Sequence, residues 1–314
     1  MAKGRTSREA TSKHRLNRRA MLSGAAMLAL APSAARAETG LLLKTISSSG
    51  RRVPAIGMGS WLTCDVGDDA ALRRVRTDVV RTFFAMGGEI IDSSPMYGSS
   101  QAVIGHALAQ LDRPDNLFSA DKVWIEGAEA GRAQIAQSRR RWGVPQFELL
   151  QVHNLVSWRE HLETLFAMKE ENILGHAGVT SYSGLRYDEI ERIMRDHPID
   201  FIQITYNLAD RRAENRLLPL ALEKGIAVIA NRPFGEGALI DAAMRRRLPD
   251  MAAEIGAANW AQYLLKFIVS HPAITAAIPA TRRVDHMIEN MGALSGPQPD
   301  PEFRQRMAKA FDDF

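Results

Sequence analysis

The chain has 314 residues, 46% of them hydrophobic and 24% charged, with a formal net charge of +4 and a single cysteine, Cys64. A lone cysteine excludes a fold stapled by disulfides, so the hydrophobic core has to carry the stability. The positive balance belongs to residues 1–37, which hold eight of the 40 Lys and Arg against one of the 36 Asp and Glu; the rest is net negative, which argues against nucleic acid or a membrane surface as partner.

Residues 1–37 read as an export leader. They combine a basic start, a short alanine-rich apolar run over residues 20–34, and Ala35-Arg36-Ala37 as a cleavage site. The run is too short to make a comfortable membrane span. Arg18-Arg19 just before it resembles a twin-arginine signal, although Asn17 and Met21-Leu22 depart from that pattern. The expectation is cleavage after Ala37, export to the periplasm, and one domain over residues 38–314. An ordinary secretory leader or an uncleaved anchor are the alternatives.

Residues 42–54 read as a hairpin turning at Ser47-Ser48-Ser49-Gly50. Eight β-rich runs follow, at 55–60, 89–93, 117–123, 147–152, 176–180, 201–206, 226–230 and 273–278. Amphipathic stretches separate them: Leu72, Val75, Val79, Phe83 and Met86 mark one helical face, and Val103, Ala107 and Leu111 the next. Strand then helix, eight times over, implies right-handed crossovers and a parallel sheet. The length left after the leader, slightly above the ~250 residues typical of such a barrel, suits closure into a (β/α)8 TIM barrel. Residues 299–314 read as a short helical tail, and the loops after the first, third, fourth and seventh strands read as short and unspecialised.

In a barrel of this kind chemistry sits where strands end and βα loops begin. Those ends carry Asp92, Lys122 and His153 on three consecutive strands, in "EIID", "LFSADK" and "ELLQVH", with Tyr97 on the first of the loops. A phenol has a pKa near ~10 and is a poor acid at neutral pH; a nearby ammonium favours the phenolate and improves proton donation. Asp92 can hold that ammonium charged, and His153 can orient a carbonyl oxygen. The set suits reduction of a carbonyl, or the reverse oxidation. Trp61, Met96 and Trp124 follow the first three strands and are candidate walls of a substrate pocket.

Seven segments fall in the order and spacing of the aldo-keto reductases. The first is "IGMGSW". The second runs from Ile90 to Leu108, with Asp92 near its start and "MYGSSQAVIGHAL" at its end. The others are "ADKVW", "LLQVHN", "GVTSYS", "QITYN" and "IPATRRVDHMIEN". The chain resembles that family over nearly all of the sequence after the leader. The resemblance implies Tyr97 as proton donor, Lys122 and Asp92 as the pair that tunes it, and His153 as the group that orients the carbonyl. It also implies a nicotinamide dinucleotide, NADP(H) ahead of NAD(H), lying across the barrel mouth. Thr180, Ser181 and Gln203 match the positions that hold the carboxamide; Thr281, Glu289 and Asn290 match the adenosine end, where a helix N-terminus favours phosphate. No G-x-G-x-x-G opens a helix, so a Rossmann domain is excluded.

The sequence departs from the family at several places. Asn231 and Arg232 stand where a tyrosine often stacks on the nicotinamide, and Gln101 stands for a common glutamate. Ala280 and His286 replace a lysine and an arginine near the 2′-phosphate, a task open to Arg282 or Arg283. A metal hydrolase would need clustered ligands at the strand ends, and a glycosidase two opposed carboxylates; Asp92 is the one acid among the strand ends identified. A non-catalytic sensor or accessory subunit on the same fold is the remaining rival. The expected partner is a small carbonyl compound, and the expected assembly a monomer or weak oligomer.

Overall fold

Eight parallel strands follow one another around a ring, each paired with its neighbours in chain order. The computed structural model describes residues 40–312, so the leader expected over residues 1–37 lies outside the described residues. A hairpin comes first, β1 (Leu43–Thr45) against antiparallel β2 (Arg52–Pro54). The ring is β3 (Met58–Gly59), β4 (Ile90–Asp92), β5 (Phe118–Val123), β6 (Phe147–His153), β7 (Leu174–Thr180), β8 (Phe201–Thr205), β9 (Ala227–Asn231) and β10 (Ile274–Ala277). Parallel bridges Ile56↔Ala277 and Gly59↔Ala280 join the last strand to the first. The barrel expected from the sequence is therefore present, with its hairpin.

The first barrel run is regular over only Met58–Gly59, less than the expected 55–60. The reason is the closing seam. A Cβ on Gly59 would lie 2.7 Å from the Ile278 carbonyl oxygen, so the backbones meet at a distance that only glycine permits.

Two apolar sets hold the fold. Ile90, Phe118, Leu149, Phe201 and Ile229 fill the barrel interior, and Ile46 and Val53 of the hairpin plug its lower end. Each such side chain contributes about 2 kcal/mol on burial. The second set lies between the sheet and the surrounding helices. These are α1 (Ala70–Ala85), α2 (Ser100–Gln110), α3 (Ala128–Trp142), α4 (Trp158–Glu170), α5 (Tyr187–Asp196), α6 (Leu217–Lys224), α7 (Ala238–Ala243), α8 (Trp260–Val269), α9 (Val284–Gly292) and α10 (Pro301–Asp312).

Helix α1 corrects the expected face. Val79 and Phe83 are buried, but Leu72 and Val75 are 42% and 43% exposed, while Arg76 and Thr77 turn inward. Arg76 explains the rotation: its guanidinium reaches the Thr63 and Arg282 carbonyls, tying the loops that follow β3 and β10. Helix α10 is the expected tail. It buries Phe303 and Met307, and Arg304 bonds the Phe267 carbonyl, Tyr206 and Glu214.

A second correction concerns the loop after β9. It runs over residues 232–259, carries α7 and two 3-10 turns, and supplies Phe234, Ile240, Met244 and Leu248 to the cavity described below. It is neither short nor unspecialised. Among the described residues no helix is long and apolar enough to cross a membrane.

Candidate active site

The strand alternation decides which side chains face the barrel axis. Asp92 on β4, Lys122 on β5, His153 on β6, Thr180 on β7, Gln203 on β8 and Asn231 on β9 all lie at or near the C-terminal ends of their strands. They form a polar layer above the apolar interior. Above that layer opens a cavity of about 750 Å³, whose lining includes Trp61, Met96, Thr281 and Asn290.

Lys122 is the hub. Its Nζ lies 2.6 Å from Asp92 Oδ2 and 2.7 Å from the Ser93 carbonyl oxygen, and both side chains are buried. Burial acts to discharge the ammonium, but Asp92, Tyr97 and Asp121 outweigh it and hold the Lys122 pKa above the ordinary value. Burial likewise pushes the Asp92 carboxyl up, against Lys122 and Gln203. The geometry, one nitrogen donating to two oxygens, is that of a charged pair. Gln203 Nε2 donates to Asp92 Oδ1 at 3.0 Å, and Thr180 Oγ1 donates to Gln203 Oε1 at 3.0 Å. Every oxygen of the buried carboxylate is thus engaged, which is what offsets the cost of burying it.

Tyr97 lies over this pair, with Lys122 Nζ 5.4 Å from its ring centre. Burial raises the phenol pKa, Lys122 lowers it, Asp92 and Asp121 raise it, and Arg232 lowers it. The net direction is up, against the lowering expected from the sequence: Lys122 counters desolvation without overcoming it. His153 packs edge-on to Tyr97 at 5.7 Å between centroids. Burial, with Lys122 beside it, drives the imidazole pKa down to about 2, so His153 is neutral. Its Nδ1 is 2.8 Å from Ser94 Oγ. Ser94 escaped the sequence reading although it stands between Asp92 and Tyr97; the spacing to His153, 59 residues away, gives no local signal.

Other side chains come together as follows. Thr180, Ser181, Gln203, Asn231 and Arg232 border the cavity on the β7–β9 side, and Thr281, Arg282, His286, Glu289 and Asn290 border it at α9. Asn231 is bonded through both ends of its amide, to the Ser181 carbonyl and to Thr205. Arg283 does not reach the cavity; its guanidinium is paired with Asp285 in the first turn of α9. Of the two arginines that the sequence offered, Arg282 borders the cavity. Trp61 and Met96 line the cavity, but Trp124 does not. Gln134 on α3 clamps the Trp124 backbone from both sides, N–H at 2.6 Å and carbonyl at 3.0 Å, and holds it at the outer rim.

Gln101, the glutamine in place of a glutamate, is explained by its neighbour. Its amide donates to Asp121 Oδ2 at 2.7 Å and its Oε1 accepts from Arg141 at 3.2 Å. Asp121 points outward from β5, fully buried between the sheet and helices α2 and α3, with its carboxyl raised to about 7 by burial. A carboxylate next to Asp121 at position 101 would be a buried like-charge pair; the amide supplies a donor instead. Among the described residues no group of three or more His, Cys, Asp or Glu could hold a metal.

The model of the Aldo/keto reductase family matches residues 55–310. Among curated proteins, the chain is 27% identical to the methylglyoxal reductase YeaE of Escherichia coli over 248 residues, covering 77% of this chain and 86% of that one. It is 25% identical over 233 residues to an NADH-specific methylglyoxal reductase of the same organism, covering 65% and 69%. Among solved structures, an aldo/keto reductase from Klebsiella pneumoniae in complex with NADP and acetate superposes with a TM-score of 0.71 at 24% identity, over 85% of this chain and 94% of that one. At that identity the likeness speaks for the fold.

Proposed function

The chain belongs to the aldo/keto reductase family, and from that premise we propose that it reduces an aldehyde or ketone to the alcohol, or runs the reverse oxidation, with a nicotinamide dinucleotide as hydride carrier. The observation that carries the reading is the buried Lys122–Asp92 ion pair beneath Tyr97, at the floor of a cavity shared with His153.

The donor set fits the cofactor. Amide and hydroxyl groups of Thr180, Ser181, Gln203 and Asn231 suit the neutral carboxamide end, while Thr281 and the start of α9, with Arg282 alongside, suit the phosphate-bearing adenosine end. Arg282 favours NADP(H); NAD(H) is the alternative, and the curated relatives include one that is named NADH-specific. When bound, the nicotinamide supplies or accepts the hydride.

The residues of this chain then have separate tasks. His153 is neutral, and in the tautomer whose Nδ1 accepts from Ser94, itself an acceptor from the Met96 N–H, the proton lies on Nε2, the nitrogen that can bond a carbonyl oxygen. That bond orients the carbonyl and stabilises charge that develops on the oxygen. Tyr97 gives its phenolic proton to that oxygen as the alkoxide forms, and water restores it. Lys122 stabilises the phenolate left behind, and Asp92 fixes the ammonium. In the alcohol-oxidising direction the same proton moves back.

The experiment is oxidation of NADPH or NADH, followed by its absorbance, with a panel of aldehydes that includes methylglyoxal. Turnover that requires Tyr97 is expected. Tight NADPH binding with no aldehyde reduced would favour the sensor or accessory reading.

The leader enters here as a proposal as well. Residues 1–37, with Arg18-Arg19 before the apolar run, would direct the protein through the twin-arginine route. That route carries folded proteins, which would let the cofactor load before export and resolve half of the supply problem in the periplasm. Slow cofactor release is the corollary.

A further inference from the structure

One cation in the cavity wall makes no hydrogen bond to the groups that move the proton above. Arg232 follows β9 directly, in the left-handed backbone region with φ of 51°, and its carbonyl is held by Asn207 at 2.9 Å. That backbone turn aims the side chain back over the site. The guanidinium carbon lies 4.2 Å from the Tyr182 ring centre and 5.5 Å from that of Trp61. Trp61 is itself 6.4 Å from Tyr97, and Arg232 lowers the Tyr97 pKa across that gap. Two aromatic faces therefore hold a permanent positive charge one indole away from the proton donor.

The polar contacts of Arg232 are one-sided. Ser183 Oγ at 3.0 Å and Glu236 Oε1 at 2.8 Å both engage Nη1. Among the described residues nothing pairs Nη2 or Nε, although a guanidinium is built to grip a carboxylate with two parallel N–H groups. Glu236 is a weak competitor. Its side chain is 40% exposed, and it sits at φ of 60° between Gly235 and Gly237 in the loop after β9. An exposed ion pair of this kind is worth little, so an incoming anion can displace it.

We propose that Arg232, stacked on Trp61 and Tyr182, is a specificity residue that selects carbonyl substrates carrying a carboxylate. This rests on the function proposed above and names its substrate class: aldehydes or ketones with an anionic group a short spacer from the carbonyl. The carbonyl goes to Tyr97 and His153, and the carboxylate takes the place of Glu236 on the guanidinium. The sequence places Arg232 with the cofactor; its side chain spans from Tyr182 and Ser183, next to that end of the cavity, to Trp61, a candidate wall of the substrate pocket.

The test uses NADPH-loaded protein and two pairs matched in skeleton but differing in charge: 3- and 4-carboxybenzaldehyde, each against its methyl ester. The wild type should favour at least one acid over its ester by roughly tenfold in kcat/KM, the scale of a charge-assisted hydrogen bond. Arg232→Met should erase that acid-over-ester ratio in kcat/KM through KM for the acid, and Arg232→Lys should restore it in part. Glu236→Gln should lower KM for the acid alone. Indifference of the wild type to charge in both pairs overturns the proposal. So does an Arg232→Met protein that loses NADPH affinity and both substrates alike, since Arg232 would then hold a cofactor phosphate. Terephthalate, which cannot be reduced here, gives a readout free of turnover: its quenching of bound NADPH fluorescence should weaken at least roughly tenfold in Arg232→Met. If no aldehyde is reduced yet terephthalate binding still falls, the catalytic reading fails and the anion site stands; unchanged terephthalate binding sinks the site itself.

Discussion

Lys122 and Asp92 meet at 2.6 Å from adjacent strands, with 1% and 3% of their side chains exposed. A charged pair this deep costs more to desolvate than its attraction returns unless every remaining lone pair and proton is used. Ser93 and Gln203 use them. Removing either charge strands the other, so Lys122→Met and Asp92→Asn should both lower activity, the lysine variant more because it removes the ammonium itself. In the double variant the losses should fall well short of multiplying. A strictly multiplicative result, measured as kcat/KM across all three proteins, would show that the two act independently.

Tyr97→Phe keeps the ring that packs against His153 and Trp61 and deletes only the hydroxyl. Turnover should fall by roughly 10²-fold or more while NADPH affinity holds. A variant that reduces reactive aldehydes at the wild-type rate would remove Tyr97 from the mechanism.

His153 makes the fold acid-sensitive. Its pKa is lowered from about 6.5 unfolded to about 2 folded, so between those values the unfolded chain binds a proton that the native chain refuses. Stability contributed by the neutral ring is full above the unfolded value and is lost as pH falls below it, by up to about 1.4 kcal/mol per pH unit. His153→Gln should flatten the dependence of urea midpoint on pH between 4 and 6.5. An equally steep profile in the variant would move the acid sensitivity elsewhere.

Gln101 and Asp121 should behave as an exchangeable charge. Gln101→Glu alone places two carboxyls together in a buried site and removes the amide donor, at a cost of roughly 1–3 kcal/mol. Adding Asp121→Asn returns one carboxyl and one amide, and most of the loss should be recovered in the urea midpoint. Additive destabilisation would mean that the two do not communicate.

The leader has its own test. Arg18-Arg19 replaced by Lys-Lys should strand active, cofactor-bound enzyme in the cytoplasm, read by fractionation and by native mass spectrometry. Normal export of that variant would exclude the twin-arginine route.

The alternation of β-rich runs with helical stretches was enough to determine the barrel, because strand and helix periods are local properties of a chain. The strand ends also exposed Asp92, Lys122 and His153, since a charged residue closing an apolar run is visible without any partner. Other features needed three dimensions. Leu72 and Val75 fit a helical stripe, yet the stripe turned to let Arg76 bind two loop carbonyls, a choice made by partners far along the chain. Trp124 follows its strand as Trp61 follows β3, but a clamp from α3 keeps it at the rim. The sequence also left the sign of the Tyr97 shift to the fold, because burial and the charges of Lys122, Asp92, Asp121 and Arg232 add up only once distance and solvent exclusion are set. Local pattern records what a segment prefers; which charge faces which ring is decided by packing among segments that the sequence keeps apart.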